Sequence, residues 1–214
     1  MRSRPSWRPA RGEPTVTLLL RHGQTPMSAQ KRYAGRSDVP LTDLGVQQAV
    51  AAAKRLASAG LDVIVTSPLR RAVQTADEVA AATGVPVVTD AGFRETDFGA
   101  WEGLTFSEVR ERWPAELNRW LADPAAAPPG GESLAEVSER VTAALHRVLA
   151  ARERQTVLIV SHVTPIKMLV ATALLAPPAA LYRMHLDVAA LCEIDWYADG
   201  PAVLRSFNDT SHLS

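Results

Sequence analysis

The stretch Thr17-Leu18-Leu19-Leu20-Arg21-His22-Gly23-Gln24-Thr25 decides the fold. Its apolar half predicts a buried strand from Val16 to Leu20 that ends abruptly in Arg21-His22. A guanidinium and an imidazole are therefore expected at the carboxyl end of a strand, which is where open α/β sheets bind their ligands. Gly23 permits a tight turn and a close approach of the backbone to a ligand, and Thr25 adds a hydroxyl. The stretch predicts an anion pocket with a candidate nucleophile inside it.

Length and composition favour one domain and a local anion site. The 214 residues can form one domain with a sizeable core. Lys plus Arg and Asp plus Glu both number 23, so the formal net charge is zero and no global field favours nucleic acid or anionic lipid. Cys192 lies in an apolar run and is expected in the core. We expect a cytoplasmic location, because no disulfide framework, signal segment or membrane-spanning run is visible.

The first residues differ in composition from the rest. Residues 1–14 are rich in arginine and proline, which predicts a linker or a disordered tail, with a basic nucleic-acid-binding arm as the alternative. Residues 15–214 show no internal repeat and no second boundary, so we expect them to form the single folded domain.

Beyond the opening strand, apolar strands alternate with amphipathic helices. A long loop is expected over residues 26–41, and Thr42 then has the properties of an N-cap for a helix that ends near Ala59. Further strands are expected near residues 61–65, 85–89, 156–160, 189–197 and 202–207, and further helices near 68–83, 105–112, 114–122, 133–152 and 165–175. This alternation predicts a three-layer α/β/α sandwich with a mostly parallel central sheet and helices on both faces.

Local signals refine these boundaries. Ser67 is expected to cap the second long helix with Pro68 in its first position, and Ser133 forms a capping-box pattern with Glu136. Residues 93–103 mix acids, aromatics and glycines without a period, which is typical of a functional loop. An Asp199-Gly200 turn joins the last two strands.

Polar groups follow three of the predicted strands, at Arg21-His22, Ser67 to Arg71, and Ser161-His162. Parallel strands bring their carboxyl ends to one edge of the sheet, so these groups can converge. Two guanidiniums and two imidazoles together suit a dianionic phosphate. Alone, each residue is more often a surface charge or a structural hydrogen-bonding group, but the recurrence at three strand ends favours a site. The other histidines are expected to be structural: His146, His185 and His212.

Five motifs, in this order over about residues 15–208, resemble the histidine phosphatase (phosphoglycerate mutase-like) superfamily. They are Leu-Arg-His-Gly-Gln-Thr at 20–25, Ser-Pro-Leu-Arg-Arg-Ala-Val-Gln-Thr-Ala at 67–76, Glu-Thr-Asp-Phe-Gly-Ala-Trp-Glu-Gly-Leu-Thr at 95–105, Pro-Gly-Gly-Glu-Ser at 129–133 and Ser-His at 161–162. Residues 161–169 further resemble the acid phosphatase half of two-domain proteins that join ribonuclease H to a histidine phosphatase. The resemblance implies a phosphoglycerate mutase-like fold, and implies that residues 1–14 are the remnant of a linker to an upstream ribonuclease H domain.

The resemblance also implies a mechanism. His22 attacks phosphorus, and Glu95 protonates the leaving oxygen before it takes a proton from the water that hydrolyses the phosphohistidine. Five side chains would bind the phosphoryl oxygens: Arg21, Arg71, His162, Thr25 and Ser28. We expect no metal and no cofactor, because the arginines can offset the charge that Mg²⁺ offsets in kinases and neither a Walker A nor a G-x-G-x-x-G pattern occurs.

Departures from the family pattern bear on the reaction. Ser28 stands where mutases of the family have Asn, and Val163 stands where glycine usually follows the second histidine, so a phosphate contact through that glycine N–H is not expected. The segment between Gly103 and Pro128 is also shorter than the mutase insertion that shields the phosphoenzyme from water. We therefore expect an acid phosphatase that hydrolyses small-molecule phosphate monoesters and releases inorganic phosphate.

Three alternatives stay open. A mutase that moves phosphate within a small metabolite and a phosphatase dedicated to α-ribazole phosphate use the same chemistry. A non-catalytic phosphate-binding module is disfavoured, because both His22 and Glu95 are present. The leaving group's pocket is expected to be lined by residues 26–41, 98–122 and 163–167, while the natural substrate and the oligomeric state do not follow from the sequence.

Overall fold

The computed structural model describes residue 10 and residues 12–214. The predicted linker therefore lies largely outside the described residues, as do all four arginines of the alternative basic arm: Arg2, Arg4, Arg8 and Arg11.

The described residues form one sheet of six strands: β1 Thr15–Arg21, β2 Val63–Thr66, β3 Val87–Thr89, β4 Thr156–Ser161, β5 Leu191–Trp196 and β6 Ala202–Asp209. Their order across the sheet is β3-β2-β4-β1-β5-β6. The first four strands are parallel to one another, whereas β5 runs antiparallel to β1 and β6 antiparallel to β5. The mostly parallel sheet is confirmed, and the last two strands form a hairpin on one of its sides.

Seven α-helices occur in the described part of the chain: α1 Pro26–Ala29, α2 Asp43–Leu56, α3 Arg70–Thr83, α4 Phe106–Arg112, α5 Pro114–Ala122, α6 Leu134–Ala151 and α7 Val163–Ala173. Four short 3-10 turns accompany them: Ala91–Phe93, Gly99–Trp101, Pro178–Arg183 and Ser211–Leu213. None of the helices that the structure describes is both long and apolar enough to cross a bilayer.

The helices cover both faces of the sheet. Successive strand residues point to opposite faces, and so Leu20 packs in one core with α2 and α3, while Leu19 packs in a second core with α6 and α7. Both cores are apolar, and Cys192 is buried in the second, as expected. One layer of helices packs on each face of the sheet, which confirms the three-layer α/β/α sandwich.

The register of the central strands positions the site. β1 and β4 pair Arg21 with Ser161, so the residues that follow, His22 and His162, leave the sheet side by side. On the other side of β4 the ladder ends with Thr66 opposite Val160, which brings Ser67 to the same edge. The predicted convergence of three strand ends is therefore confirmed.

Several predicted helix starts are confirmed. The Thr42 hydroxyl accepts a hydrogen bond from the Gly45 N–H at the start of α2. Ser133 and Glu136 form the predicted capping box at the start of α6. Gly84 ends α3 in the left-handed conformation at φ 71°, where glycine has no steric cost.

Two predicted helix starts are wrong. α3 begins at Arg70 rather than Pro68, and its N-cap is Leu69, which makes no side-chain capping bond. The Ser67 hydroxyl accepts only a long bond of 3.4 Å from the Leu69 N–H. Its shorter bond, at 2.8 Å, is to Nε2 of His162, because the two strand ends are adjacent. α7 begins at Val163, two residues before the predicted start, since His162 itself is the N-cap residue.

The predicted loops also contain short regular elements. The expected loop over residues 26–41 begins with α1, which starts with a capping box between Thr25 and Ser28. Residues 93–103, expected to be irregular, begin at the end of the 3-10 turn Ala91–Phe93 and contain the 3-10 turn Gly99–Trp101. Elements of one turn leave no periodic apolar pattern, so periodicity could not predict them.

Candidate active site

His22 lies at the centre of the candidate site and has a defined tautomer. Its ring nitrogen Nδ1 lies 2.7 Å from the Gly23 carbonyl oxygen. A carbonyl can only accept, so Nδ1 carries the proton and donates it. Burial, followed by the charges of Arg71 and Arg21, lowers the pKa of His22 well below its ordinary value. The imidazole is therefore neutral at neutral pH, with its lone pair on Nε2.

Gly23 is required for this geometry. Its backbone lies directly against that of Gly45 in α2, and a Cβ at residue 23 would collide with the Gly45 carbonyl oxygen. A Cβ at Gly45 would in turn collide with the carbonyl of Gln24. Two glycines thus allow α2 to pack against the turn that holds the His22 ring.

His162 lies beside His22, with 5.1 Å between the ring centroids and 59° between the ring planes. Its Nε2 is hydrogen-bonded to the Ser67 hydroxyl, and its Nδ1 has no hydrogen-bond partner within the part of the chain that the structure describes. Burial, followed by the positive charge of Arg71, lowers the pKa of His162 well below its ordinary value. The second imidazole is thus neutral at neutral pH as well.

The two arginines are held by backbone carbonyls rather than by carboxylates. Nη1 of Arg21 donates to the Leu186 carbonyl at 2.7 Å. The buried Arg71 donates from its two terminal nitrogens to three carbonyls at 2.8 to 2.9 Å, those of Ala34, Gly35 and Ser37. Burial lowers the pKa of Arg21 to about 10 and also lowers that of Arg71, which leaves both guanidiniums charged at neutral pH.

Three buried nitrogens of the site have no hydrogen-bond partner among the described residues: Arg21 Nε, Arg71 Nε and His162 Nδ1. A buried donor without an acceptor is costly. Two guanidinium N–H groups and an imidazole that can present a third donor match the several acceptor oxygens of a phosphoryl group. The arrangement can bind an oxyanion next to the lone pair of His22.

Glu95 lies in the same cavity, on the loop between the two 3-10 turns Ala91–Phe93 and Gly99–Trp101. Its carboxyl accepts from the Thr96 N–H at 2.8 Å and, at a longer 3.4 Å, from the Thr164 N–H of α7. The side chain is buried, and the neighbouring Arg94 donates to the Ala91 carbonyl instead. Backbone donors thus aim a carboxyl group at the basic end of the cavity.

Arg140 of α6 holds the loop that carries Glu95. Its guanidinium donates to the carbonyls of Gly92, Arg94 and Glu95 at 2.7 to 3.0 Å. It also forms a two-pronged ion pair with Glu132 at 2.6 and 2.8 Å. The role of Arg140 and its pairing with Glu132 could not be predicted, because a contact between a helix and a loop about 45 residues away has no local signal in the sequence.

Glu102 holds the loop that surrounds Arg71. Its carboxylate accepts from the backbone N–H groups of Gly35 and Arg36 at 2.7 and 3.0 Å, and from the Ser37 hydroxyl at 2.6 Å. The carbonyls that bind Arg71 belong to the same short segment. Glu102 therefore positions the Arg71 guanidinium indirectly.

Thr25 and Ser28 line the cavity but are bonded to each other. The Thr25 hydroxyl accepts from the Ser28 N–H, and the Ser28 hydroxyl accepts from the Thr25 N–H and donates to the Thr25 carbonyl. The Ser28 hydroxyl proton is thus already engaged, whereas that of Thr25 is not. Of the two, Thr25 is the better placed to donate to a phosphoryl oxygen.

The cavity beside His22 is lined by parts of all three predicted segments, including residues 28, 29 and 31–34, Phe98, Trp120, Val163 and Thr164. A fourth part of the lining, Leu181 together with residues 185–188, was not predicted. It supplies the Leu186 carbonyl to Arg21 and is held by reciprocal bonds of 2.7 and 2.9 Å between Asp187 and Asn208. His185, expected to be structural, lines the cavity and lies 2.9 Å from an Asp187 carboxylate oxygen.

Comparisons with known proteins agree with this geometry. The family model described as the histidine phosphatase superfamily (branch 1) matches residues 17–210. Bifunctional protein Rv2228c of Mycobacterium tuberculosis is 50% identical over 210 residues, which are 98% of this chain and 58% of that protein. The chain therefore spans little more than half the length of that relative.

Two further similarities cover almost the whole chain. GpmB of Proteus mirabilis, described as a probable phosphoglycerate mutase, is 37% identical over 204 residues, 92% of this chain and 94% of that protein. The solved structure of mycobacterial glucosyl-3-phosphoglycerate phosphatase Rv2419c with inorganic phosphate has a TM-score of 0.82 at 31% identity. That similarity covers 94% of this chain and 100% of the other.

The two buried imidazoles predict a loss of stability in mild acid. Their pKa values in the folded protein are lower than the ~6.5 of an unfolded chain, so the unfolded state binds more protons below that pH. The contribution of the two neutral rings to the free energy of unfolding should be fully present above about pH 6.5. Below that pH the free energy of unfolding should decrease by up to about 1.4 kcal/mol per pH unit for each imidazole.

Urea denaturation in phosphate-free buffer between about pH 7.5 and pH 5 measures this. His162→Gln should make the decrease shallower, whereas His146→Gln, on the exposed face of α6, serves as the matched control. A free energy of unfolding that stays constant over this range would contradict the assignment of neutral, buried rings.

Proposed function

The chain belongs to the histidine phosphatase superfamily (branch 1), and we propose that it is a phosphomonoesterase that acts through a phosphohistidine intermediate on His22. The superfamily relatives described above are named as phosphatases or mutases, which supports phosphoryl transfer as the reaction class. Hydrolysis of small-molecule phosphate esters, with inorganic phosphate as product, is the reaction that we assign to this site.

One observation carries the proposal. The bond from His22 Nδ1 to the Gly23 carbonyl leaves the lone pair on Nε2. The Nε groups of Arg21 and Arg71 and Nδ1 of His162 are buried without a hydrogen-bond partner in the described chain. A neutral nucleophile and a binding site for a dianion thus lie together. This is the combination that attack on a phosphate ester requires.

In the first step, Nε2 of His22 forms a bond to phosphorus while the bond from phosphorus to the ester oxygen breaks. Glu95, in its protonated form, transfers its proton to the departing oxygen. Arg21, Arg71 and His162 hold the equatorial oxygens and offset their charge, with Thr25 as a further donor. The products of this step are the free alcohol and a phosphohistidine.

In the second step, water attacks the phosphohistidine. The Glu95 carboxylate takes a proton from the water, the new P–O bond forms, and the bond from phosphorus to Nε2 breaks. Inorganic phosphate leaves, and both His22 and Glu95 return to their starting protonation states. The Gly23 carbonyl keeps Nδ1 protonated throughout, so the same nitrogen is available in each cycle.

A mutase is the second candidate, favoured by the 37% identity to GpmB. Incubation with 3-phosphoglycerate and with an aryl phosphate separates the two reactions, because only a phosphatase releases inorganic phosphate stoichiometrically. Isomerisation of 3-phosphoglycerate without release of phosphate would favour the mutase.

The whole protein is a separate proposal. The 50% identity extends over only 58% of a relative named bifunctional, and the chain resembles the acid phosphatase half of ribonuclease H fusion proteins. We propose that this chain is such a phosphatase half and that it works in the cytoplasm. The upstream coding region tests the first point directly.

Removal of the nucleophile should abolish catalysis. For His22→Ala we expect kcat/KM for an aryl phosphate to decrease roughly 10³-fold or more, because no other side chain replaces a covalent catalyst. His146→Ala, which removes an exposed histidine of α6, is the matched control and should retain wild-type activity. Wild-type turnover by His22→Ala would refute the covalent mechanism.

The rate loss on removal of the acid should depend on the leaving group. Glu95→Gln keeps the side-chain shape but cannot deliver the proton, so hydrolysis of an alkyl phosphate should slow by about 10²- to 10⁴-fold. An aryl phosphate, whose oxygen leaves more readily as an anion, should slow far less in the same step. Glu111→Gln, which changes an exposed glutamate of α4, is the control and should retain wild-type rates. Equal losses with both substrates would argue against Glu95 as the proton donor.

A further inference from the structure

The cavity beside His22 is much larger than a phosphoryl group. Its volume is about 700 Å³, within the 300–1,000 Å³ range that is typical of sites for whole small molecules. Arg21, His22 and Glu95 lie on its lining, and the bound phosphoryl group would lie beside them. The rest of the cavity is available to the group that is released.

Apolar side chains form much of this remaining surface. We call six of them the apolar wall: Tyr33, Phe98, Trp120, Leu134, Leu181 and Leu186. They come from the loop after α1, the loop after Glu95, α5, α6 and the segment before β5. Elements from five parts of the chain thus converge on one apolar surface.

The aromatic members of the wall are fixed by ring contacts. Tyr33 lies 4.6 Å from Phe98 and 6.1 Å from Trp101 between ring centroids, and Trp101 meets Trp120 edge-on at 5.6 Å. Burial raises the pKa of Tyr33 to about 12, so its phenol is neutral under all ordinary conditions. Such a rigid wall offers contact area to a ligand with little loss of side-chain entropy.

The charged residues of the lining, apart from the phosphate site, are mostly engaged elsewhere. Arg32 pairs with Glu108 at 2.9 Å and donates to the Gly103 carbonyl at 2.7 Å, while Asp187 is bonded to Asn208 and His185. The remaining cation of the described lining is Lys31, which is exposed. A substrate carboxylate that extends from the phosphate along the apolar wall would thus meet no cation of the described lining that is free of a partner, apart from the exposed Lys31.

We propose that the natural substrates are phosphate monoesters of apolar alcohols, with an aromatic ring or a long alkyl chain that packs on the apolar wall. This inference rests on the proposed phosphatase function and adds the class of the leaving group. Carboxylated esters such as phosphoglycerates are poor matches, because desolvation of an unpaired carboxylate against apolar side chains is unfavourable.

A series of straight-chain alkyl phosphates from ethyl to octyl tests the proposal, because apolar area increases along it while the leaving oxygen remains that of a primary alcohol. We expect kcat/KM to increase by up to about fourfold for each methylene that the wall covers, and by roughly 100-fold from ethyl to octyl phosphate. The value for 3-phosphoglycerate should lie below that for hexyl phosphate. A flat profile, or faster turnover of 3-phosphoglycerate, would overturn the proposal.

Substitutions in the wall should reduce this selectivity. In Trp120→Leu the ratio of kcat/KM for octyl over ethyl phosphate should decrease about tenfold, and Trp113→Leu, which is partly buried outside the lining, should keep the wild-type ratio. Circular dichroism checks that each variant folds, and Leu181→Asn serves as a second wall variant if Trp120→Leu does not. An unchanged ratio in a folded wall variant would refute the role of the wall.

The phosphatase function and the preference for an apolar leaving group can be refuted separately. A wild-type protein that hydrolyses neither alkyl nor aryl phosphates would refute the phosphatase function itself. An active protein whose kcat/KM does not depend on alkyl chain length would refute only the preference for an apolar leaving group.

Discussion

Four side chains that can each carry a positive charge lie together at the carboxyl edge of the sheet: His22, Arg71 and His162, which are buried, and Arg21, which is partly buried. Like charges in a desolvated region repel one another strongly. The constraint is met in two ways: both imidazoles are neutral at neutral pH, and both guanidiniums are held by backbone carbonyls. A dianion is the natural counterpart of such a site, and the chemistry follows from the neutrality of the His22 ring.

Residues far from the reacting atoms hold these charged groups in place. The guanidinium of Arg71 depends on a loop that Glu102 holds, and Glu95 depends on a loop that Arg140 holds. The site is thus supported from α6 on one side and from the loop after α1 on the other. Outside the phosphate site, the cavity is lined by the apolar wall. Different residues therefore bind the phosphate and the leaving group.

Much of this could be predicted from the sequence, for physical reasons. Buried parallel strands show as apolar runs, and the polar residues after three of them had to meet at one edge, so Arg21, His22 and His162 were expected together. Glu95 was identified only through the family resemblance, because its loop has no periodic pattern. The Leu186 carbonyl and the Arg140 contacts could not be predicted, since backbone acceptors are common to all residues and long-range pairs leave no local signal. The role of Ser67 was predicted wrongly, because a serine between a strand and a helix can either cap the helix or bind a distant histidine, and the sequence does not distinguish the two.

The central claim is that Nε2 of His22 forms the bond to phosphorus. Its most direct test is to mix the protein with an aryl phosphate, quench the reaction in alkali during turnover, and locate the phosphate by peptide mass spectrometry. We predict an acid-labile phosphate on Nε2 of His22 that forms and decays at least as fast as the enzyme turns over. Steady turnover with phosphate on another residue, or on none, would contradict it.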